Sequence, residues 1–130
     1  MNDAEKLYTR ALWIMRHKYG EDHYETASHL TNLASLHQAK GENSEAEWLF
    51  WQALTVKEKA VGPDHIDCAL TMIDLTNLYK RQRRFDEAEL LCSRALNVLE
   101  KRLEPEHPFL IKCRKTCNEL SELLDVVTVT

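Results

Sequence analysis

AEWLFWQALTVKEKAVGPDHIDCALTMIDLTNLYKRQRRFDE, residues 46–87, is one copy of a unit that the chain spells out on both sides of it. A shift of 42 residues carries Ala4-Glu5 onto Ala46-Glu47 and then onto Ala88-Glu89. Leu7 falls on Leu49 and Leu91, Ala11-Leu12 on Ala53-Leu54 and Ala95-Leu96, and His23 on His65 and His107. The register holds without insertion. A repeat of this length marks one supersecondary unit stacked several times, each copy burying its apolar face on its neighbours.

Inside each copy the apolar spacing is helical. Residues 4–19 place Leu7, Ala11, Ile14 and Met15 on one face before Gly20. Residues 24–39 do the same with Ala27, Leu30, Leu33, Ala34 and His37. Lys40-Gly41 then supplies a cation for the negative helix end and a residue that tolerates a left-handed turn. A third helix, 44–61, carries Ala46, Leu49, Phe50, Ala53, Leu54 and Val56 inward and breaks at Gly62-Pro63-Asp64. A fourth is expected over 66–81 with Ala69, Met72, Leu75, Leu78 and Tyr79, and a fifth over 86–102 with Ala88, Leu91, Cys92, Ala95 and Leu96. Pro108 suits the first position of a sixth, running to 124. Six helices of two alternating types, joined by short turns, predict an all-α fold: antiparallel pairs stacked into an α-solenoid. The expected domain is 1–124: a half repeat at 4–19, repeats at 24–61 and 66–103, and a capping helix at 108–124. The tail, 125–130, is mostly β-branched and is expected to be frayed or extended.

Composition narrows the class. Of 130 residues 44% are hydrophobic, with only three Gly and three Pro, which suits a helical domain with a real core. A formal charge of −4 leaves no broad basic footprint for nucleic acid. No apolar run approaches the roughly 18 residues of a membrane span. The opening MNDAEKLYTR lacks the apolar stretch of a signal peptide. Cys68, Cys92, Cys113 and Cys117 are therefore expected as reduced, buried thiols in a cytoplasmic protein.

Chemistry-bearing residues are few. His23, His65 and His107 recur one repeat apart, too far to share an ion, and are expected to cap helices and pack loops. Cys113 and Cys117 lie four apart on one helical face, but no second pair stands at a matching interval to complete a zinc site. No glycine-rich phosphate loop is present, and nothing supplies an oxyanion hole or an activated thiol. No cofactor, no metal and no enzymatic activity are expected. Lys80, Arg81, Arg83 and Arg84 form the strongest basic run, placed where cations offset a helix dipole. Trp48 and Trp51, three apart and off the inward stripe, are either cover for helix stems or a contact patch.

The chain resembles the tetratricopeptide repeats of the 42-residue variety typified by kinesin light chains. The resemblance is carried by Leu33-Ala34, Leu36-His37, Gly41, Ala46-Glu47, Phe50, Ala53-Leu54 and Gly62-Pro63-Asp64-His65. It continues through Leu75, Leu78-Tyr79, Phe85, Ala88-Glu89, Ala95-Leu96 and Glu106-His107-Pro108. It implies a right-handed superhelix whose first helix in each pair lines a concave groove. On that footing the groove stripe is Ser28, Thr31, Asn32, Ser35 and Gln38, then Leu70, Ile73, Asp74, Asn77, Lys80 and Arg81, then Lys112, Lys115 and Glu119. Asn32 and Asp74 would bond the backbone of a bound peptide. Two positions depart from the pattern: Asn43 stands for an aromatic and Arg83 for a glycine, so both turns are expected to be irregular. In the last helix Arg114, Asn118 and Ser121 stand where the earlier repeats carry Leu30 or Met72, Ala34 or Thr76, and His37 or Tyr79, as a terminal helix facing water would require.

These features predict a non-catalytic scaffold that binds a protein or peptide in the groove, with no nucleic acid and no membrane span. The preferred ligand is acidic with one aromatic or apolar anchor over Leu70 and Ile73, like the cargo motifs of kinesin light chains. The alternative is a structural module that dimerises through its first helix or its Trp48–Trp51 face.

Overall fold

The breaks at Gly41, Gly62-Pro63, Arg83 and Pro105 to Pro108 divide the chain into its helices. The structure, a computed structural model, describes residues 24–129 together with Lys6 and Arg10, and every regular element among them is helical. The helices are α1 (Tyr24–Ala39), α2 (Asn43–Val61), α3 (Ile66–Arg81), α4 (Phe85–Arg102) and α5 (Pro108–Val129). The expected helix over 4–19 lies outside the described residues apart from Lys6 and Arg10.

The chain forms two units, Met1–Pro63 and Asp64–Thr130. In the first, α1 packs on α2 across a three-residue turn, so the two run antiparallel. Their buried faces are Ala27, Leu30, Leu33 and Ala34 on one side and Ala46, Leu49, Phe50, Ala53 and Leu54 on the other. In the second unit α4 packs on both α3 and α5. Its core contains Ala69, Met72, Leu75 and Leu78 from α3, Ala88, Leu91, Ala95 and Leu99 from α4, and Leu110 and Leu120 from α5. Small residues sit where no side chain has room. Ala53 has no exposed surface, so Ala53→Leu is expected to overpack the core and cost about 1–3 kcal/mol. Thr55→Leu, two residues on and exposed, is expected to stay within about 0.5 kcal/mol of wild type. Thermal melts of the two variants decide it: equal melting temperatures would refute the packing.

The two turns expected to be irregular are instead alike. Glu42 N–H donates to His37 O at 2.9 Å and Gly41 N–H to Gln38 O at 3.0 Å. One repeat on, Arg84 N–H donates to Tyr79 O at 2.9 Å and Arg83 N–H to Lys80 O at 3.0 Å. Both are six-to-one helix endings closed by a left-handed residue, Gly41 at φ 79° and Arg83 at φ 61°. Backbone ring closure fixes the turn, and the side chains adapt to it. In each turn the residue after the left-handed one also touches the residue five earlier. His37 Nδ1 and Glu42 Oε2 are 3.3 Å apart, and the Arg84 guanidinium lies 4.2 Å from the Tyr79 ring centre.

A left-handed arginine is strained by roughly 1–2 kcal/mol. The Arg83 guanidinium sits 5.6 Å from the Phe85 ring, a contact worth only about 0.5 kcal/mol at an exposed site. Arg83→Gly is therefore expected to stabilise the protein by about 0.5–1 kcal/mol. Arg83→Ala, which keeps the strain and loses the ring contact, is expected to destabilise it. Chemical denaturation distinguishes these signs, and a less stable glycine variant would mean that the ring contact outweighs the strain.

The recurring histidines start helices. His65 Nδ1 accepts from Asp67 N–H at 3.1 Å, and His107 Nδ1 accepts from Phe109 N–H at 3.1 Å. Each imidazole satisfies an amide that the helix cannot bond internally. His23 lies outside the described residues.

At the other end, α5 runs on to Val129, past residue 124 and through most of the segment expected to be frayed or extended. No Gly or Pro follows Pro108, and β-branched residues lower helix propensity only slightly. Arg114, Asn118 and Ser121 are all exposed on α5, whereas their counterparts Met72, Thr76 and Tyr79 are buried on α3. The face that is buried on α3 is solvated on α5.

Candidate functional site

α3 and α5 both lie against α4. A groove opens between them. Its walls are Leu70, Ile73, Thr76 and Asn77 of α3 and Phe109, Lys112, Cys113 and Thr116 of α5, with Cys92 of α4 beneath. The enclosed space is about 190 Å³, below the range of drug-sized pockets but enough for part of one side chain. The lining is apolar except at the rim, where Asn77 and Lys112 are exposed. Thr76 is silent as a polar contact, because its hydroxyl donates to Met72 O at 2.8 Å.

The structure thus brings together Leu70, Ile73, Asn77 and Lys112 from the expected stripe. Asp74 is half-buried beside them and already engaged. Lys80 is not a free cation: its Nζ lies 3.4 Å from Glu119 Oε2, beside a shallow hollow with Glu122 and Leu123. Arg81 and Lys115 are exposed and lie outside the groove lining. In the first unit Ser28, Asn32 and Ser35 are exposed, and Thr31 and Gln38 half-buried. The Thr31 hydroxyl is spent on Ala27 O at 2.9 Å. Trp48 is 57% exposed above a hollow formed with Leu33, His37, Ser44, Glu45 and Leu49. Trp51 is half-buried.

Two features of the groove escaped the sequence. Phe109, 48% exposed, reads as an opening residue of a helix and gives no sign that it walls a pocket. Cys92, from α4, completes a cluster with Cys113 and Cys117. Its Sγ is 2.6 Å from Cys117 Sγ and 3.9 Å from Cys113 Sγ. The i, i+4 spacing disclosed the pair on α5 but not the third member on another helix. Shared hydrogen bonds set their acidities apart. Hydrogen bonding from the Cys117 and Cys92 side chains holds the Cys113 thiol below the usual thiol range, against the burial that opposes it. Hydrogen bonding to Cys113 and Cys117, with burial, pushes the Cys92 thiol above the usual range, and hydrogen bonding to Cys113 with burial does the same for Cys117.

The sequence profile described as tetratricopeptide repeat matches residues 26–67 and 68–109. The chain belongs to the tetratricopeptide-repeat family. Each match is one 42-residue unit, the kinesin-light-chain-like length, and repeats of this family generally mediate contacts between proteins. Among solved structures, BtubC (BKLC) from P. vanneervenii matches with a TM-score of 0.84 at 21% identity, over 92% of this chain and 48% of that one. A protein of Podosopora anserina, described as a kinesin light chain with nearly identical TPR-like repeats, matches with a TM-score of 0.77 at 22% identity, over 98% of this chain. A singly substituted form of that protein matches with a TM-score of 0.77 at 21% identity. The chain spans about half the length of the first and 65% of the second. At these identities the likeness is one of fold. No curated protein matches the sequence. No helix among the described residues is long and apolar enough to cross a membrane.

Proposed function

We propose that this chain is a non-catalytic interaction module that takes an extended peptide of a partner protein into the groove between α3 and α5. The observation that carries this is the apolar slot framed by half-exposed Leu70 and Ile73 and by Phe109, with Lys112 on its rim. One aromatic or apolar side chain of the ligand would enter it, and burial of that anchor would supply most of the affinity. Lys112 and Lys115 would favour acidic flanks and set orientation and association rate. Lys80, held by Glu119, would add little. None of the four cysteines is in a disulfide, which fits a reducing, cytoplasmic setting. We read residues 1–124 as the repeat domain, with a half repeat at 4–19 and α5 closing the stack.

The test is a titration by fluorescence anisotropy of two synthetic peptides, each with one tryptophan, flanked in one by Asp and Glu and in the other by Lys. The acidic peptide is expected to bind more tightly, to weaken as salt rises, and to lose its advantage against a Lys112→Glu, Lys115→Glu double variant. Equal binding of both peptides to wild type would remove the charged-groove reading.

Trp48 favours a second reading, self-association through α2. Its repeat counterpart Leu90 is 67% exposed, so the same helical position is apolar and uncovered in both repeats. Sedimentation at high concentration separates the readings: a monomer unaffected by Trp48→Ser would exclude this one.

A further inference from the structure

Cys92 and Cys113 line the groove, and with Cys117 they make an arrangement that is not that of ordinary core residues. One repeat earlier the same three positions hold Phe50, Thr71 and Leu75. Three separate positions on two helices have become cysteine together, and two of them give up a large side chain. The groove's cavity of about 190 Å³ lies against Cys92 and Cys113. All three sulfurs lie within 4.8 Å of one another, and among the described residues no histidine or carboxylate joins the group.

We propose that Cys92, Cys113 and Cys117 form a three-sulfur site for a soft, sulfur-seeking ion satisfied by three ligands, reached through the groove. Sulfur donors select soft ions. A structural zinc site closes with four ligands, and the fourth is missing from this cluster. At a metal–sulfur distance of about 2.3 Å, three sulfurs around one ion stand about 4 Å apart. Cys92 and Cys113 already do, at 3.9 Å. Cys117, the most exposed of the three, has to swing its sulfur outward from Cys92. Cu(I) and trivalent arsenic both meet the description. With Cu(I), each sulfur that binds as thiolate releases its proton to solvent and no electron moves. With arsenite, the three thiol protons leave with the three hydroxyls of arsenous acid as water, and arsenic keeps its oxidation state. The site stands whether or not a peptide occupies the groove.

The reduced full chain is titrated without oxygen, in one arm with Cu(I) supplied from a chromophoric chelator and in the other with arsenite. One equivalent of at least one ion is expected to be retained, with a shell of three sulfurs by X-ray absorption. Retention of Cu(I) alone marks a copper site, and of arsenite alone a trivalent-metalloid site. Cys92→Ser and Cys117→Ser are each expected to weaken binding by more than the roughly 10–100-fold that loss of an outer-shell partner costs. Cys68→Ser, a buried thiol outside the cluster, is expected to leave binding unchanged. Circular dichroism checks that each variant folds. Cys92→Phe, which restores the residue of the preceding repeat, gives a second variant that loses a ligand without adding a buried hydroxyl. Failure to retain either ion, full affinity in a folded Cys92 variant, or displacement of both ions by equimolar Zn(II) would overturn the site.

Discussion

Phe50→Ala is expected to lower the stability of the first unit by about 3–5 kcal/mol. Phe50 is 1% exposed and is the largest fully buried side chain among the described residues. It lies in a core made mostly of leucine and alanine. Against the roughly 5–15 kcal/mol typical of a whole domain, such a loss leaves α1 and α2 marginal. The chain supplies its own probe, because Trp13, Trp48 and Trp51 all lie before residue 64. Urea unfolding followed by tryptophan fluorescence should show the midpoint falling sharply. Cys92→Ala, at the equivalent position of the next repeat, should cost only about 1 kcal/mol, since a smaller side chain is removed beside an existing cavity. Comparable losses at the two positions would mean that their packing is not as different as the side chains are.

Ile73→Asp is expected to remove at least about 2 kcal/mol from binding of the acidic, tryptophan-anchored peptide, roughly a thirtyfold loss. The change replaces one apolar wall of the slot with a charge that repels the ligand's flanks. Ile73 is only half-buried, so the fold should survive with a small change in melting temperature. Ile111→Asp provides the control. Ile111 is 53% exposed on α5 and does not line the groove, so its variant should bind as wild type does. If both variants bind equally well, the slot between α3 and α5 is not where the anchor goes.

What the sequence disclosed follows from which forces are periodic. The 3.6-residue spacing of Leu30, Leu33 and Ala34, or of Leu75, Leu78 and Tyr79, reports burial directly, so the helices could be read within one residue at the ends of α2 and α4. The recurring histidines announced their caps for the same reason: a helix start comes once per unit. The groove was legible where it depends on helix phase, at Leu70, Ile73, Asn77 and Lys112. It was not legible where it depends on neighbours. That Lys80 spends its charge on Glu119, or that Cys92 meets Cys117, follows from how two helices dock, and no local pattern encodes it. The turn at Arg83 misled for a related reason. Residue preference favours glycine there, but the ring of backbone hydrogen bonds is indifferent to preference beyond a kilocalorie or so.

That indifference turns the repeat into a unit of exchange. Residues 41 and 83 hold the same place in the same hydrogen-bonded ring, separated by a whole number of repeats. A chain cut after Gly41 and rejoined at Arg84 would discard one complete copy, keep every later helix in phase, and still offer the incoming amide the carbonyl of His37. Duplication by the reverse splice would keep phase in the same way. The seam tolerates glycine or arginine, so length can change at this junction without first inventing a new one.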